Sequence, residues 1–501
     1  MSVAGCLRPA PSLSVRWWLF GVLALSLPGC TVGPDYQRAD APVPVVFKEA
    51  TGWKIGQPND AAERGEWWAI YHDPELDRLE RMVEVSNQTV KQFEAQYREA
   101  VALVAEARAN LFPTASLAAG VTRTSGGTGG SGLGAGTSGG GLGGPRTQYS
   151  LTGSISWDLD VWGRVRRQVE SNVAGAQVSA GDLANAKLSA QATLATDYFD
   201  LRAEDALAQL LRDTVAAYRR ALDIVQNQYR AGTTASTDVV TALAQLQSTE
   251  ALLVGVGVQR QQYEHAIAML TGHPPAELTI AAAPLPSAVP VMPPGLPSAL
   301  LERRPDIAAA ERAMQEENAL IGVAVAAYYP DISLSALGGF AGNPLSQVFN
   351  ASSGLWSLGA TATETLFSGG ARGAAVAAAR ANYDQAVANY RQTVLVAFQQ
   401  VEDALSDLRI LEQQAAAEAI AVASTRRAVD ATLNQYQAGT VAYTSVITEQ
   451  TLLLADQQTA LAIQQSRLVA SVALVEALGG GWSTAALPDR PSIEAVHAIV
   501  P

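Results

Sequence analysis

The sequence predicts a mostly α-helical protein carrying a transmembrane β-barrel, built from one unit that is written twice. Three observations predict this. Arg219-Arg220-Ala221-Leu222-Asp223 and the following Asn227-Gln228-Tyr229-Arg230-Ala231-Gly232-Thr233 recur 207 residues later as Arg426-Arg427-Ala428-Val429-Asp430 and Asn434-Gln435-Tyr436-Gln437-Ala438-Gly439-Thr440. Gly163–Arg230 and Gly369–Ala438 each run about 70 residues without proline, enough for helices of roughly 100 Å. Four segments of about ten residues alternate apolar and polar side chains, the period of a strand with one apolar face.

The repeat fixes the order of elements. Phe112-Pro113-Thr114-Ala115-Ser116-Leu117 matches Tyr329-Pro330-Asp331-Ile332-Ser333-Leu334 at an offset of 217. The ten extra residues belong to 125–144, a stretch made almost only of Gly, Ser and Thr, which reads as a flexible extracellular loop between the first two strands. Each half reads helix, strand, strand, helix, helix. In the first half a helix is expected over Pro74–Leu111, stopped by Pro113. Shorter helices are expected near 75–111, 233–271, 298–327 and 440–478. In the second long helix, Tyr383, Val387, Tyr390, Val394, Val401, Leu405 and Leu408 recur near period 3.5, a coiled-coil spacing. Arg304-Pro305-Asp306 starts a helix, with Pro305 at the first helical position and Asp306 in the first turn, where exposed amides favour both. The boundaries follow: 1–29 signal peptide, 30–73 extended N-terminal segment, 74–280 first repeat, 281–297 Pro-rich linker, 298–485 second repeat, 486–501 tail.

The strands force an assembly. In the first half Ala115, Leu117, Ala119 and Val121 share one face, and Tyr149, Leu151, Gly153, Ile155 and Trp157 another such set. In the second half Ile332, Leu334, Ala336 and Phe340, then Trp356, Leu358, Ala360 and Ala362, repeat the pattern against Ser, Thr, Gly and Asp331. Their length is that of a tilted membrane-spanning strand. After residue 30 no apolar run of transmembrane-helix length is expected, so any crossing falls to these strands. Four strands cannot close a barrel, and open edges cannot face lipid. Two copies would give a barrel filled by side chains and three a lumen. The competing arrangement is a soluble pair of β-hairpins capping a helical bundle.

The first thirty residues are an address. Arg8 and Arg16 precede the apolar run Trp17–Leu27, and Leu27-Pro28-Gly29-Cys30 follows. The run is too short to span a membrane and suits a secretory signal. The last four residues resemble a bacterial lipobox, from which Pro28 departs, and imply lipidation at Cys30. An ordinary signal peptide with an incidental cysteine is the other reading. Cleavage before Cys30 would remove Cys6, Arg8 and Arg16 and take the net charge from −13 to −15. One cysteine would remain, too few for an intramolecular disulfide.

Composition excludes other classes. A chain of 501 residues with 34 basic and 47 acidic side chains lacks the basic surface that nucleic acid requires. The two Cys and four His show no metal-site spacing; His265 and His273 read as isolated side chains. Gly134-Ala135-Gly136-Thr137-Ser138-Gly139 matches a dinucleotide fingerprint by letter, but no helix follows it. No catalytic constellation is present, and no cofactor is expected.

Several motifs together carry a resemblance. Cys30-Thr31-Val32-Gly33-Pro34-Asp35-Tyr36, Arg304-Pro305-Asp306-Ile307 with Glu311, the paired Tyr-x-x-Gly-Thr turns and Leu474–Trp482 resemble TolC-like outer-membrane efflux proteins, in particular the lipoprotein branch serving RND multidrug systems. The resemblance implies a homotrimer with a twelve-stranded outer-membrane barrel, continued by a long α-helical periplasmic barrel. It implies an outer-membrane, lipid-anchored location, a periplasmic adaptor and an inner-membrane RND pump as partners, and passive export of small toxic molecules. Channels for type I secretion or metal-ion efflux are the alternatives within the class. A pore-free periplasmic coiled-coil lipoprotein is the alternative outside it.

On the same basis Tyr229, Gly232 and Thr233, with Tyr436, Gly439 and Thr440, would form the periplasmic tips where the adaptor docks. Asp238 follows the first tip, while the matching positions after the second are Ser445 and Thr448. A double carboxylate iris is therefore not expected. Tip closure would rest on Asp238, Tyr436, Tyr443 and neutral hydrogen bonds. The Arg304, Pro305, Asp306 and Glu311 motif is read as structural, because capping accounts for it.

Overall fold

The structure, a computed structural model, describes residues 31–44, 46–50, 66–124, 145–290 and 300–495. The signal segment 1–29, Cys30, the Gly-rich stretch 125–144, linker residues 291–297 and tail residues 496–501 lie outside the described residues.

Helices α1 (Pro74–Ser86) and α2 (Gln88–Ala109) lead into strands β1 (Thr114–Thr124) and β2 (Arg146–Leu159), then α3 (Arg164–Arg230) and α4 (Ser236–Leu270). The second set is α5 (Pro305–Ala326), β3 (Asp331–Gly342), β4 (Gly354–Thr363), α6 (Ala371–Gln437) and α7 (Tyr443–Ala477). Both ends of α3 and α4 return 207 residues later as the ends of α6 and α7, and both ends of α2 return 217 residues later as those of α5. The long helices α3 and α6 each hold 67 residues, about 100 Å at 1.5 Å per residue.

Two compact units make up the chain, and each draws on both halves of the duplication. One comprises the described part of Met1–Gln37 with Leu103–Val173 and Gln315–Asp384; the other comprises Arg38–Ala102, Ala174–Met314 and Gln385–Pro501. The first contains a four-stranded antiparallel sheet in the order β1-β2-β3-β4. The second has a helical core in which Trp68, Leu76, Leu79, Leu194, Tyr198, Phe199, Ile267 and Leu468 are fully buried. In α6 the heptad residues Tyr390, Val394, Val401, Leu405 and Leu408 are buried. A charged network ties the segment after α4 to this core. Asp205 accepts from Arg202 at 3.1 Å and from Arg260 at 2.7 Å, and Glu264 accepts from the Ile280 amide at 2.6 Å.

Two sequence expectations need correction. The helix expected over Pro74–Leu111 is broken at Asn87, whose backbone is extended (φ −61°, ψ 125°). The apolar period continues through the break, but a side chain decides it. Asn87 Oδ1 accepts from the amides of Thr89 and Val90, capping α2, while Nδ2 donates to the Leu270 carbonyl at 2.7 Å. The same joint recurs 217 residues on. Arg304 precedes α5 and donates to the Ala477 carbonyl at 3.0 Å, at the end of α7. After each of those helices a glycine of positive φ, Gly272 and Gly479, packs so closely that a Cβ would collide with the Ser86 or Arg303 carbonyl. The second correction concerns α4, which is long and apolar enough to cross a membrane, with a mean hydropathy of 1.4 over its best window. It nonetheless carries Arg260 paired with the buried Glu264, and packs Ile267 into the helical core and Ala242 and Leu246 into a second buried cluster. Its bounds match those of α7 at the 207-residue offset.

Asn87→Ala removes both the cap and the tie to α4. It should lower stability by about 1–2 kcal/mol, read as a fall in melting temperature, with Asn87→Asp, which keeps the cap alone, falling between.

Candidate channel wall and helix tips

The sheet register assembles the wall. Ala115 pairs with Ile155, Ile155 with Ala336 and Ala336 with Leu358. Leu117, Gly153, Gly338 and Trp356 form the next row, and Ala119, Leu151, Phe340 and Gly354 the one after. Since directly paired residues share a face, the apolar sets of all four strands lie on one side. The opposite side carries Ser116, Ser154 and Leu337 with Ser357, and Gly120 with Ser150 and Ala341; Ser116 and Ser154 share a 2.7 Å hydrogen bond. Leu117, Trp356 and Leu358 are each at least 75% exposed. A sheet apolar on one face and mostly small or polar on the other, Leu337 being an exception, is built for lipid outside and water inside. The outer edges of β1 and β4 have no strand partner among the described residues.

The helix tips repeat each other closely. Gly232 and Gly439 both have φ +74°. In each, the glycine amide donates to the Tyr229 or Tyr436 carbonyl at 2.9 Å, and the Thr233 or Thr440 amide reaches back to the Gln228 or Gln435 carbonyl at 3.0 Å. This six-to-one bond with a left-handed glycine ends a helix and reverses the chain. The hydroxyls of Thr233 and Thr440 add a second bond to the same carbonyls. Nothing lies within 4 Å of a Cβ at either glycine, so the backbone angle alone demands glycine there.

Behind the tips the expected gate residues differ in burial. Tyr436 and Tyr443 are buried with rings 5.1 Å apart, in a cluster with Tyr218, Leu222, Val225, Leu246 and Val446. Burial pushes the Tyr443 hydroxyl up to about 12, assisted by Tyr436, Tyr218 and Asp238, so it stays a neutral donor. Asp238 is half-buried and accepts from the Thr234 hydroxyl. Ser445 and Thr448 are exposed, and Thr448 bonds back to Thr444 at 3.0 Å.

The helix-start motif is a clasp. Arg304 grips Asp306 through two bonds of 3.0 and 2.6 Å and reaches Gln400 on α6 at 2.8 Å. Glu311 lies 3.7 Å from Arg38, which donates to the Tyr390 hydroxyl. Beside the clasp is a polar cavity of 330 Å³ lined by Arg304, Asp306, Gln400, Asp407 and Glu476. Burial raises the Glu476 carboxyl, with Arg304 opposing that shift.

Sequence reasoning placed an extended segment over 30–73 but missed the contacts that hold it as a strap. The Val32 amide donates to the Trp162 carbonyl at 3.1 Å, and Arg167 holds the Val32 carbonyl and Asp35 at 3.2 and 2.9 Å. Further on, Glu402 of α6 accepts from the amides of Lys48 and Glu49, and Arg409 pairs with Glu49 at 2.6 Å. The segment has no periodicity to betray it. Also unforeseen is a carboxylate row on α3. Burial and the Asp200 charge push Asp197 up to about 6, and burial raises Asp200 and Glu204 as well.

The family described as outer membrane efflux protein matches residues 81–273 and 296–480. The chain is 29% identical over 482 residues to the probable efflux pump outer membrane protein TtgC of Pseudomonas putida, covering 92% of this chain and 94% of that one. It is equally similar, over 464 residues, to the cation efflux system protein CusC of Escherichia coli, covering 92% and 97%. Among solved structures, the outer-membrane channel OprN superposes with a TM-score of 0.82 at 28% identity over 90% of this chain and all of that one. The open state of the Neisseria gonorrhoeae MtrE outer membrane channel gives 0.76 at 25% identity, covering 90% and 98%.

Two outcomes are expected. Gly439→Ala should cost about 1 kcal/mol of stability through backbone strain alone, measured as a lower melting temperature at unchanged helix content. Asp197 binds its proton more tightly when folded, so its ionisation costs stability as pH rises from about 4 through 6. Asp197→Asn should therefore stabilise at pH 7.5, by about 1–2 kcal/mol after discounting its partial exposure, and the difference should vanish at pH 4.

Proposed function

This chain belongs to the outer membrane efflux protein family, and on that premise we propose that it is the exit duct of a tripartite export assembly, acting as a homotrimer that moves small toxic molecules passively to the exterior. The observation that carries the reading is the sheet register, which gathers the apolar residues of four strands on one face and leaves both edges without a strand partner among the described residues. Unpaired strand edges are not tolerated in lipid, and three copies supply twelve strands, enough for a water-filled lumen. The apolar side chains left exposed on α4, among them Val240, Leu243, Leu252, Val254 and Val258, are then covered by neighbouring copies.

The remaining parts follow from this arrangement. Cys30 carries acyl chains in the outer membrane, two residues before the strap is clasped by Trp162 and Arg167. The Gly232 and Gly439 turns are the docking points of a periplasmic adaptor, and Asp238 with the buried Tyr436–Tyr443 pair holds the tips closed. Energy comes from an inner-membrane RND pump; the duct performs no chemistry. Relatives named for toluene, antibiotic and cation efflux match at 28–29% identity, as suits a duct whose width and lining charge select coarsely while the pump selects finely.

Purified protein should migrate as a heat-modifiable trimer and pass ions in planar bilayers, and deletion of its gene should raise sensitivity to toxic small molecules. Monomeric, non-conducting material overturns the reading. Asp238→Ala is expected to increase single-channel conductance severalfold by loosening the tip; an unchanged trace removes Asp238 from the gate.

A further inference from the structure

We propose that the polar cavity beside the Arg304 clasp is a binding site for a small organic cation, an amine or guanidinium compound. The proposal goes beyond the channel reading and does not need it, because every residue lining the cavity belongs to one chain and to its second compact unit.

Four elements build the site. Asn185 and Ser189 lie one turn apart on α3, and Gln400, Ala404 and Asp407 share a face of α6. Ala473, Glu476 and Ala477 share a face of α7, and the start of α5 completes the lining. Three of these residues are alanines, whose single methyl groups leave the space between the helices unfilled. The result is a cavity of 330 Å³, a size that small-molecule sites commonly have.

Its charge points to a cation. Three carboxylates, Asp306, Asp407 and Glu476, line the cavity against one guanidinium, that of Arg304. Asp306 is committed to Arg304 and to the Ile307 amide. Asp407 and Glu476 form no ion pair among the described residues, and Asp407 accepts no hydrogen bond from them. Burial raises the Glu476 carboxyl, with Ser189 and Arg304 opposing the shift, so a cation seated beside it relieves a cost already present.

The clasp alone does not require these groups. The duplication supplies the comparison, because the first joint does the same structural work. At the displacements of 217 and 207, Arg304 falls on Asn87, Asp306 on Thr89 and Glu476 on Met269. Asp407 falls on Asp200, which has a protein partner: it accepts from Gln465 at 2.7 Å. The first joint thus closes with no carboxylate at the end of α4 and with its α3 carboxylate occupied. In the second, Arg304 reaches the Ala477 carbonyl without bonding Asp407 or Glu476, and both are left lining the cavity.

Spacing selects the class of cation. No three acidic, histidine or cysteine side chains among the described residues stand close enough together to hold a metal ion, which needs several ligands at once. An elongated amine instead reaches separate carboxylates through charge-assisted N–H bonds. Its methylenes can lie against Leu188 and Ala404 while the Asn185 and Gln400 amides offer further polar contacts.

Calorimetric titration of the detergent-solubilised full-length protein with putrescine tests the site, with magnesium chloride and butanol as probes of bare charge and bare carbon chain. Saturable putrescine binding is expected, with little heat from either control. Asp407→Asn together with Glu476→Gln should weaken it by about tenfold or more, the scale of a lost charge-assisted hydrogen bond. Ala473→Leu, at an exposed position of α7, keeps every charge and should block putrescine by filling the space. Absence of saturable binding, the result if a neighbouring copy's side chain fills the cavity, overturns the proposal. So does binding that survives both variants, or that magnesium displaces at equal concentration. The channel reading is judged separately, by trimer migration and conductance; monomeric, non-conducting protein that still binds putrescine overturns that reading and leaves this site standing.

Discussion

The fold depends on an incomplete sheet. Four strands with one apolar and one polar face have no stable state alone. One face exposes Leu117, Trp356 and Leu358, and both edges lack a strand partner among the described residues, leaving backbone groups that water-free lipid cannot satisfy. The cost is removed only when identical edges meet. The polar side needs no such partner, because serine and threonine hydroxyls bond across the strands and small side chains leave room for water. The helices supply a second compact unit with a core of its own.

That unit is built by writing the same half twice with different joints. The first repeat closes its helix joint with a neutral amide, Asn87 to the Leu270 carbonyl; the second uses a guanidinium, Arg304 to the Ala477 carbonyl, braced by Asp306 and Gln400. Backbone geometry is conserved between them down to the positive-φ glycine that follows, while side-chain chemistry is free to differ. Buried polar groups of either kind are tolerated because each donor finds a carbonyl or carboxylate. The tips behave in the opposite way. There the glycine, the threonine and the tyrosine are all retained, since the reversal of two helices leaves little freedom in either angle or length.

Much of this was legible in the residues. The 207-residue offset located both ends of α6 and α7 from those of α3 and α4, because duplication copies boundaries along with content. Strand faces were legible because period two is a local property. What the residues hid was decided at long range. The apolar pattern runs unbroken through Asn87, and only a carbonyl 183 residues away shows why the helix stops. Arg304 read as a helix start, which it is, but its partners on α6 and α7 are not neighbours in sequence. The exposed Ser445 and Thr448 and the buried Tyr443 occupy successive turns of one helix, and only packing against Tyr218 and Val225 distinguishes them. The strap was legible only as an extended stretch, since a segment without secondary structure has no period to show what it packs against.

That strap also sets an order of events. Arg38 meets Tyr390 across 352 residues, Lys48 meets Glu402 across 354, and Glu49 meets Arg409 across 360. A ribosome delivers the amino terminus first, yet none of these handholds exists until most of the polypeptide has been exported. Residues 38–49, among the first to emerge, therefore wait for α6 to follow before they can be seated.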